Sequence, residues 1–201
     1  MSGGHYHLNR RALTDTAQYL PRSGYAGGRP RSENPMRRLA TPADQQRVYD
    51  IYMHPDVVPY LGFDPMPREH FGKVFEPLFE SAGFYVFEDA GVVQGFYKVQ
   101  RHLGRAAHVA YLGTLALAPE VRGSGLARRM MQDALDRLAA SGIRRVELTV
   151  EADNPRAIAF YERFGFAHEG TQRAAYKRSS DDGFVDELMY GLLLGPGRVP
   201  A

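Results

Sequence analysis

The sequence predicts an α/β layered domain around a mixed sheet, and three observations carry that expectation. From Met36 onward, strand-like and helix-like stretches alternate as strand, two helices, three strands, helix, strand, helix, two strands. Residues 122–140 hold an apolar stripe at helical spacing, the mark of a helix laid on a sheet. The 201 residues show no internal repeat and no second domain. A chain of that length can bury about 70% of its unfolded surface in a single core.

Each element has a local cause. Residues 37–40 read as a short strand, and Thr41 with Asp44 three positions later marks a helix start for 42–54. A second helix is predicted over 67–80, where Phe71, Val74, Phe75, Leu78 and Phe79 recur at helical spacing. Strands follow at 84–88, 92–100 and 108–117, the first two joined by Asp89-Ala90-Gly91, a hairpin signal. In 122–140, Leu126, Ala127, Met130, Met131, Ala134, Leu135 and Leu138 make the apolar stripe, and Arg129, Asp133 and Arg137 line the opposite face. Gly142 stops that helix. Val146, Leu148 and Val150 alternate through a strand at 144–150. Asn154-Pro155 then opens a helix that Gly165 closes. The last strands, 166–176 and 184–194, flank the polar turn Ser-Ser-Asp-Asp-Gly. Parallel and antiparallel neighbours together make the sheet mixed.

Composition removes several classes of function. No cysteine is present, which excludes a disulfide scaffold, a cysteine zinc site and a thiol nucleophile. No apolar run approaches the roughly 18–20 residues of a membrane helix, and the N-terminus lacks the apolar stretch of a secretory signal. A cytoplasmic protein with no membrane partner is expected. The 25 Lys and Arg against 23 Asp and Glu leave a charge of +2. Residues 1–35 hold five arginines against two acids, with five glycines and three prolines, and read as a disordered basic tail. The domain proper, 36–196, is close to neutral, and 197–201 form a short C-terminal tail. His5 and His7 are too few for a metal site, so no metal is expected.

The chemical signal lies where a strand ending at Leu117 turns at Pro119 and enters a helix through Arg122-Gly123-Ser124-Gly125. Glycines there let backbone approach a ligand closely, and the helix N-terminus offers free N–H groups and positive potential. Such a loop suits phosphate or pyrophosphate, with Arg122 as a charged clamp. It is not a P-loop, because no Lys follows Gly125. Nor is it a dinucleotide fingerprint, because Arg128 stands where a third Gly or Ala belongs. Taken alone, it could equally be a glycine turn opening a surface helix.

Its surroundings are more specific. Arg122-Gly123-Ser124-Gly125-Leu126-Ala127 follows the pattern Gln/Arg-x-x-Gly-x-Gly/Ala, preceded by Leu-Ala-Leu-Ala-Pro and followed by Asn-Pro-Arg-Ala-Ile-Ala-Phe-Tyr-Glu-Arg-Phe-Gly-Phe. In that order the motifs resemble the GNAT superfamily of acetyl-CoA-dependent N-acetyltransferases, over about residues 36–195. The C-terminal stretch from Glu169 to Tyr190 is most similar to the subgroup holding spermidine and ribosomal-protein acetyltransferases. The resemblance implies the GNAT fold, a mixed sheet of about seven strands flanked by about four helices, with acetyl-CoA as co-substrate.

It also implies roles. Leu115, Ala116 and Leu117 would present backbone to the pantetheine arm and the thioester, and Arg122, Gly123, Ser124, Gly125, Leu126 and Ala127 would cradle the pyrophosphate. Asn154 matches a cofactor-contacting residue and is also a natural helix N-cap. Tyr161 matches the tyrosine beside the departing sulfur, although Ala157, Tyr161 and Phe164 share a face and could simply pack. A thiol near pKa 8.5 against a phenol near 10 makes full proton transfer from tyrosine uphill by about 2 kcal/mol. Tyr161 is therefore better cast as a hydrogen-bond donor.

The base is harder to place. Relatives carry a glutamate either five residues before Asn154, where this chain has Thr149, or at the start of the central strand, where it has Tyr111. Glu151 is the remaining catalytic candidate, with His108 behind it. A weak base leans toward an α-amine, about 10% neutral at pH 7, over an alkylamine at below about 0.1%. Tyr49, Tyr52, Tyr60, Phe63, Phe71, Glu76, Glu80, Asp181, Asp182 and Asp186 are offered as acceptor contacts. The expected partner is a small-molecule or peptide amine, with a homodimer left open. Two rival readings stand beside the enzyme: an acyl-CoA-binding module with little or no catalysis, and a nucleic-acid binder using the basic tail. No basic face or aromatic platform accompanies that tail, so no nucleic-acid partner is expected.

Overall fold

The computed structural model describes residues 36–195. The expected tails at 1–35 and 197–201, and any nucleic-acid role of the first, lie outside the described residues. The elements are β1 (Met36–Leu39), α1 (Gln45–Tyr52), α2 (Arg68–Glu80), β2 (Phe84–Asp89), β3 (Val92–Arg101) and β4 (Val109–Leu117). They continue with α3 (Leu126–Ala140), β5 (Arg145–Glu151), α4 (Pro155–Arg163), β6 (Ala167–Tyr176) and β7 (Val185–Leu193). The seven strands form one sheet in the order β1-β2-β3-β4-β5-β7-β6. It is mixed, as expected: β4 and β5 are parallel and the other neighbours antiparallel.

Alternation along the strands sends side chains to two cores. Phe84, Val86 and Phe96 pack with Val48, Ile51 and Tyr52 of α1 and with Phe71, Val74 and Phe75 of α2. Phe87 and Tyr97 belong to the other core, beneath Met130, Met131, Leu135 and Leu138 of α3. Val146, Leu148 and Val150 join this second core, and α4 packs against it through Ala157, Ile158, Phe160 and Tyr161. Helices thus cover both faces of the sheet.

Two helix starts differ from the expectation. The helix expected over 42–54 is a 3-10 turn, Pro42–Asp44, leading into α1. The Asp44 carboxylate accepts from the Thr41 N–H at 2.7 Å, as the sequence pair suggests, and also receives Arg38 at 2.6 and 2.7 Å. α3 begins at Leu126 instead of Arg122, because Gly123 and Gly125 hold φ values of +78° and +79° and cannot continue a right-handed helix.

The feature that matters for function is a split in the sheet. On β4 the four residues Gly113 to Ala116 span what the three residues Phe96 to Lys98 span on β3, so β4 carries an extra residue. Thr114 sits in that bulge at φ +49°, a conformation costly for a β-branched residue. Bulges bend the strand that holds them. β4 and β5 pair only from Val109↔Arg145 to Tyr111↔Glu147, after which each continues without the other. Backbone groups on that side of β4 then face an opening.

Candidate active site

The opening widens into a cleft of about 960 Å³, walled by Tyr111 to Leu117 of β4, Thr149 to Glu151 of β5, Asn154 and Tyr161 around α4, and residues 55–62. One end is the glycine loop. The N–H groups of Gly123 and Gly125 have no partner among the described residues. A Cβ placed on either glycine would meet nothing within 4 Å, so the loop borders open space. Leu126 and Ala127, at the start of α3, complete this wall with the positive end of the helix dipole. Unpaired donors, an open cradle and an unpaired strand edge are what a pyrophosphate joined to an amide-bearing arm requires, and these residues fit acetyl-CoA.

Two predicted members of this wall behave differently. Ser124 does not line the cleft: its hydroxyl donates to the Val121 carbonyl at 2.7 Å and accepts from the Leu126 N–H at 3.3 Å, shaping the loop. Arg122 lines the cleft, but its guanidinium is held by Asp56, with Nη1 at 2.6 Å from Oδ2 and Nη2 at 3.3 Å from the carbonyl. The predicted clamp thus ties the segment after α1 to the glycine loop.

The opposite end carries titratable groups. Tyr161 is half-buried, edge-on to Phe166, and its hydroxyl has no hydrogen-bond partner among the described residues. Burial raises its pKa, reinforced by Glu151 and Tyr111, so the phenol stays protonated. Burial also pushes the Glu151 carboxyl up to about 7, with Glu187 adding to the rise. Its own backbone N–H, the Asn154 side chain and Arg178 pull the other way. Glu187 is the direct cross-strand partner of Glu151, and both residues line the cleft. Thr149, standing where relatives carry glutamate, shares a 2.8 Å hydrogen bond with the Tyr111 hydroxyl. Asn154 is an N-cap, its Oδ1 accepting from the Ala157 N–H at 3.1 Å, and it lines the cleft as well.

A single arginine organises the rim. Arg178, in the β6–β7 turn, reaches both oxygens of Asp153 at 2.7 and 3.0 Å, the Pro59 carbonyl at 2.7 Å, and the Tyr176 hydroxyl at 2.8 Å. It also pairs with Asp181 at 3.1 Å. Its side chain is only 13% exposed. The Asp64 carboxylate accepts from the Ser179 N–H at 3.0 Å. These contacts fix the turn against the segment between α1 and α2.

Leu115, Ala116, Leu117, Arg122, Gly123, Gly125, Leu126, Ala127, Asn154, Glu151 and Tyr161 therefore share one cleft. His108 does not: it is exposed at the paired end of β4, its carbonyl taking the Arg144 N–H. Of the proposed acceptor contacts, Tyr60 lines the cleft, whereas Tyr52 and Phe71 are core and Tyr49, Phe63, Glu76, Glu80, Asp181, Asp182 and Asp186 are not part of the wall. Lys98, Glu187 and Arg178 went unnoticed in the sequence. The first two are brought in by strand register, which a single sequence does not display. Among the described residues no group of three or more His, Cys, Asp or Glu is arranged to hold a metal ion, and no helix is long and apolar enough to cross a membrane.

Comparison with known proteins shows the family and the fold. The profile described as "Acetyltransferase (GNAT) family" matches residues 45–166. The N-alpha-acetyltransferase RimI of Mycobacterium tuberculosis is 31% identical over 147 residues, 72% of this chain and 86% of that protein. The mycothiol acetyltransferase of Streptomyces avermitilis is 37% identical over 95 residues, 47% of this chain. The chain spans only 30% of that relative's length. A Salmonella typhimurium protein whose structure holds its cofactor acetyl-CoA superposes with a TM-score of 0.63, covering 84% of this chain and 98% of that one at 18% identity.

Proposed function

This chain belongs to the GNAT acetyltransferase family, and on that premise we propose that it transfers an acetyl group from acetyl-CoA to a primary amine in a ternary complex. The observation that carries the reading is the split between β4 and β5, with an open glycine cradle at one end and Glu151 and Tyr161 at the other. Bound acetyl-CoA supplies the activated acetyl group. Gly123, Gly125 and the start of α3 hold its pyrophosphate. Backbone at Leu115 to Leu117 aligns the arm and donates to the carbonyl oxygen as charge develops there. The two substrates meet in one cleft, which supplies proximity.

The acceptor's ammonium gives one proton to Glu151. The neutral nitrogen then bonds to the acetyl carbon as the carbon–sulfur bond breaks. Its second proton ends on the departing sulfur, to which Tyr161 donates a hydrogen bond. A carboxylate near 7 is well matched to this task at neutral pH, unlike one at an ordinary 4.5. The relatives' names point to a protein α-amine in one case and to mycothiol in the other, so the acceptor is a peptide N-terminus or a small molecule.

The deciding experiment follows thiol release from acetyl-CoA over a panel of amines, alongside acetyl-CoA binding by calorimetry. Turnover with at least one amine is expected, together with loss of acetyl-CoA binding in Gly125→Glu. Binding without turnover would leave a non-catalytic acyl-CoA module. Unchanged affinity in Gly125→Glu would remove the cradle.

A further inference from the structure

The acceptor end of the cleft is charged unevenly. Glu151 and Glu187 stand side by side on β5 and β7. Like charges directly opposite in a sheet repel, so this wall favours a cation between them. Across the cleft is Lys98 of β3, which has no ion pair or hydrogen bond among the described residues. Lys98 is in register with Gly113 of β4. A Cβ on Gly113 would lie 2.7 Å from the Tyr111 ring, whose hydroxyl reaches Thr149 of β5, so this ring occupies the space beside Gly113. At this rim Arg178 is already matched by Asp153 and Asp181. Arg156 also borders the cleft, two residues after Asn154 in the first turn of α4.

We propose that the acceptor is a small zwitterionic amine of the amino-acid class, its ammonium held between Glu151 and Glu187 and its carboxylate held by Lys98. This rests on the acetyltransferase reading and narrows it. Lys98 stands on β3 and Glu151 on β5 with β4 between them, and beyond Tyr111↔Glu147 the split holds β4 and β5 apart, so a molecule that engages both walls lies across the cleft. A polyamine satisfies the two carboxylates but brings a second cation toward Lys98. A peptide N-terminus presents a neutral amide where Lys98 needs an anion. Lys98 thus selects against both as well as for the zwitterion.

The test compares free α-amino acids, their carboxamides, spermidine, and a peptide with an acidic second residue, using the full chain and acetyl-CoA. A neighbouring carboxylate stabilises the ammonium and leaves less neutral amine than in the carboxamide, so intrinsic reactivity favours the carboxamide. Preference for the acid must then come from the site. At least one free amino acid should exceed its carboxamide about tenfold or more in kcat/KM. Lys98→Met should raise KM for that acid by about tenfold or more while leaving KM for the carboxamide and for acetyl-CoA unchanged, and Lys98→Arg should restore part of the loss. Glu187→Gln should raise KM for acid and carboxamide alike. Equal rates for acid and carboxamide, equal effects of Lys98→Met on both, or a spermidine or peptide substrate outrunning every free amino acid would each overturn the proposal while leaving an acetyltransferase. Absence of thiol release with every amine overturns the acetyltransferase reading itself, and this proposal with it.

Discussion

Tyr161 and Glu151 face one cleft, and burial pushes both pKa values upward with different consequences. For Tyr161 the rise moves the phenol further from a thiol's range, which in the proposed mechanism suits a hydrogen-bond donor and not a titrating acid. Tyr161→Phe should lower kcat about 10²-fold with KM for acetyl-CoA unchanged, measured as initial rates at saturating acceptor. The melting temperature should barely move, since the lost hydroxyl has no hydrogen-bond partner among the described residues. For Glu151 the rise to about 7 would, in the proposed mechanism, place the base's titration near neutral pH. The base acts ionised, so kcat/KM should climb with pH through about 7, and Glu151→Gln should remove that limb. Stability runs the other way. Between 4.5, its ordinary value, and about 7 the folded protein binds more protons at this group than the unfolded chain does, so its contribution falls as pH rises across that window. Glu151→Gln should therefore raise the melting temperature more at pH 8 than at pH 5, read by calorimetry. Both residues were legible from the stretch around Asn154. Glu187, which adds to the Glu151 shift, was not, because the cross-strand partner of a residue 36 positions away depends on register.

At the scale of elements, amphipathic segments were legible and their junctions were not. The stripe of α3 and the alternation of β5 each follow from local side-chain spacing, and both formed as expected. The bulge at Thr114 left no trace, since a β-branched residue in the middle of an apolar run argues for regular strand. The start of α1 was legible from Thr41 and Asp44, but its anchor was hidden. Arg38 of β1 bridges Asp44 and Glu88 of β2, each at 2.6 Å, fastening the first turn to the sheet edge. Burial pushes the Asp44 carboxyl up, but Arg38 and Thr41 outweigh it and hold it below the ordinary value. Its stabilising contribution is therefore present above pH 3.8 and is lost as pH falls through the lower folded value. Arg38→Ala leaves that nearly buried carboxylate without its cation and should destabilise the domain by about 2–4 kcal/mol in urea unfolding. The double variant with Asp44→Ala should cost less than the sum of the two single changes.

For the molecule as a whole, the site is a place where the sheet does not close. Each layer contributes to the gap: β4 by its bulge, α3 by starting late, and the segment after α1 through the Arg122–Asp56 pair. A gap of this kind leaves backbone donors unpaired in the folded chain. A ligand that satisfies them only in the folded state must raise stability by linkage. At acetyl-CoA about one hundred times its Kd, the gain is about 2.7 kcal/mol. With roughly 2–4 °C per kcal/mol for a domain of this size, the melting temperature should rise about 5–11 °C. The rise should grow with the logarithm of acetyl-CoA concentration. Gly125→Glu should abolish it by filling the cradle, whereas Lys98→Met, at the acceptor end, should leave it intact. A shift that survives Gly125→Glu would place the cofactor elsewhere, and one lost in Lys98→Met would show that the two ends of the cleft are not separate subsites.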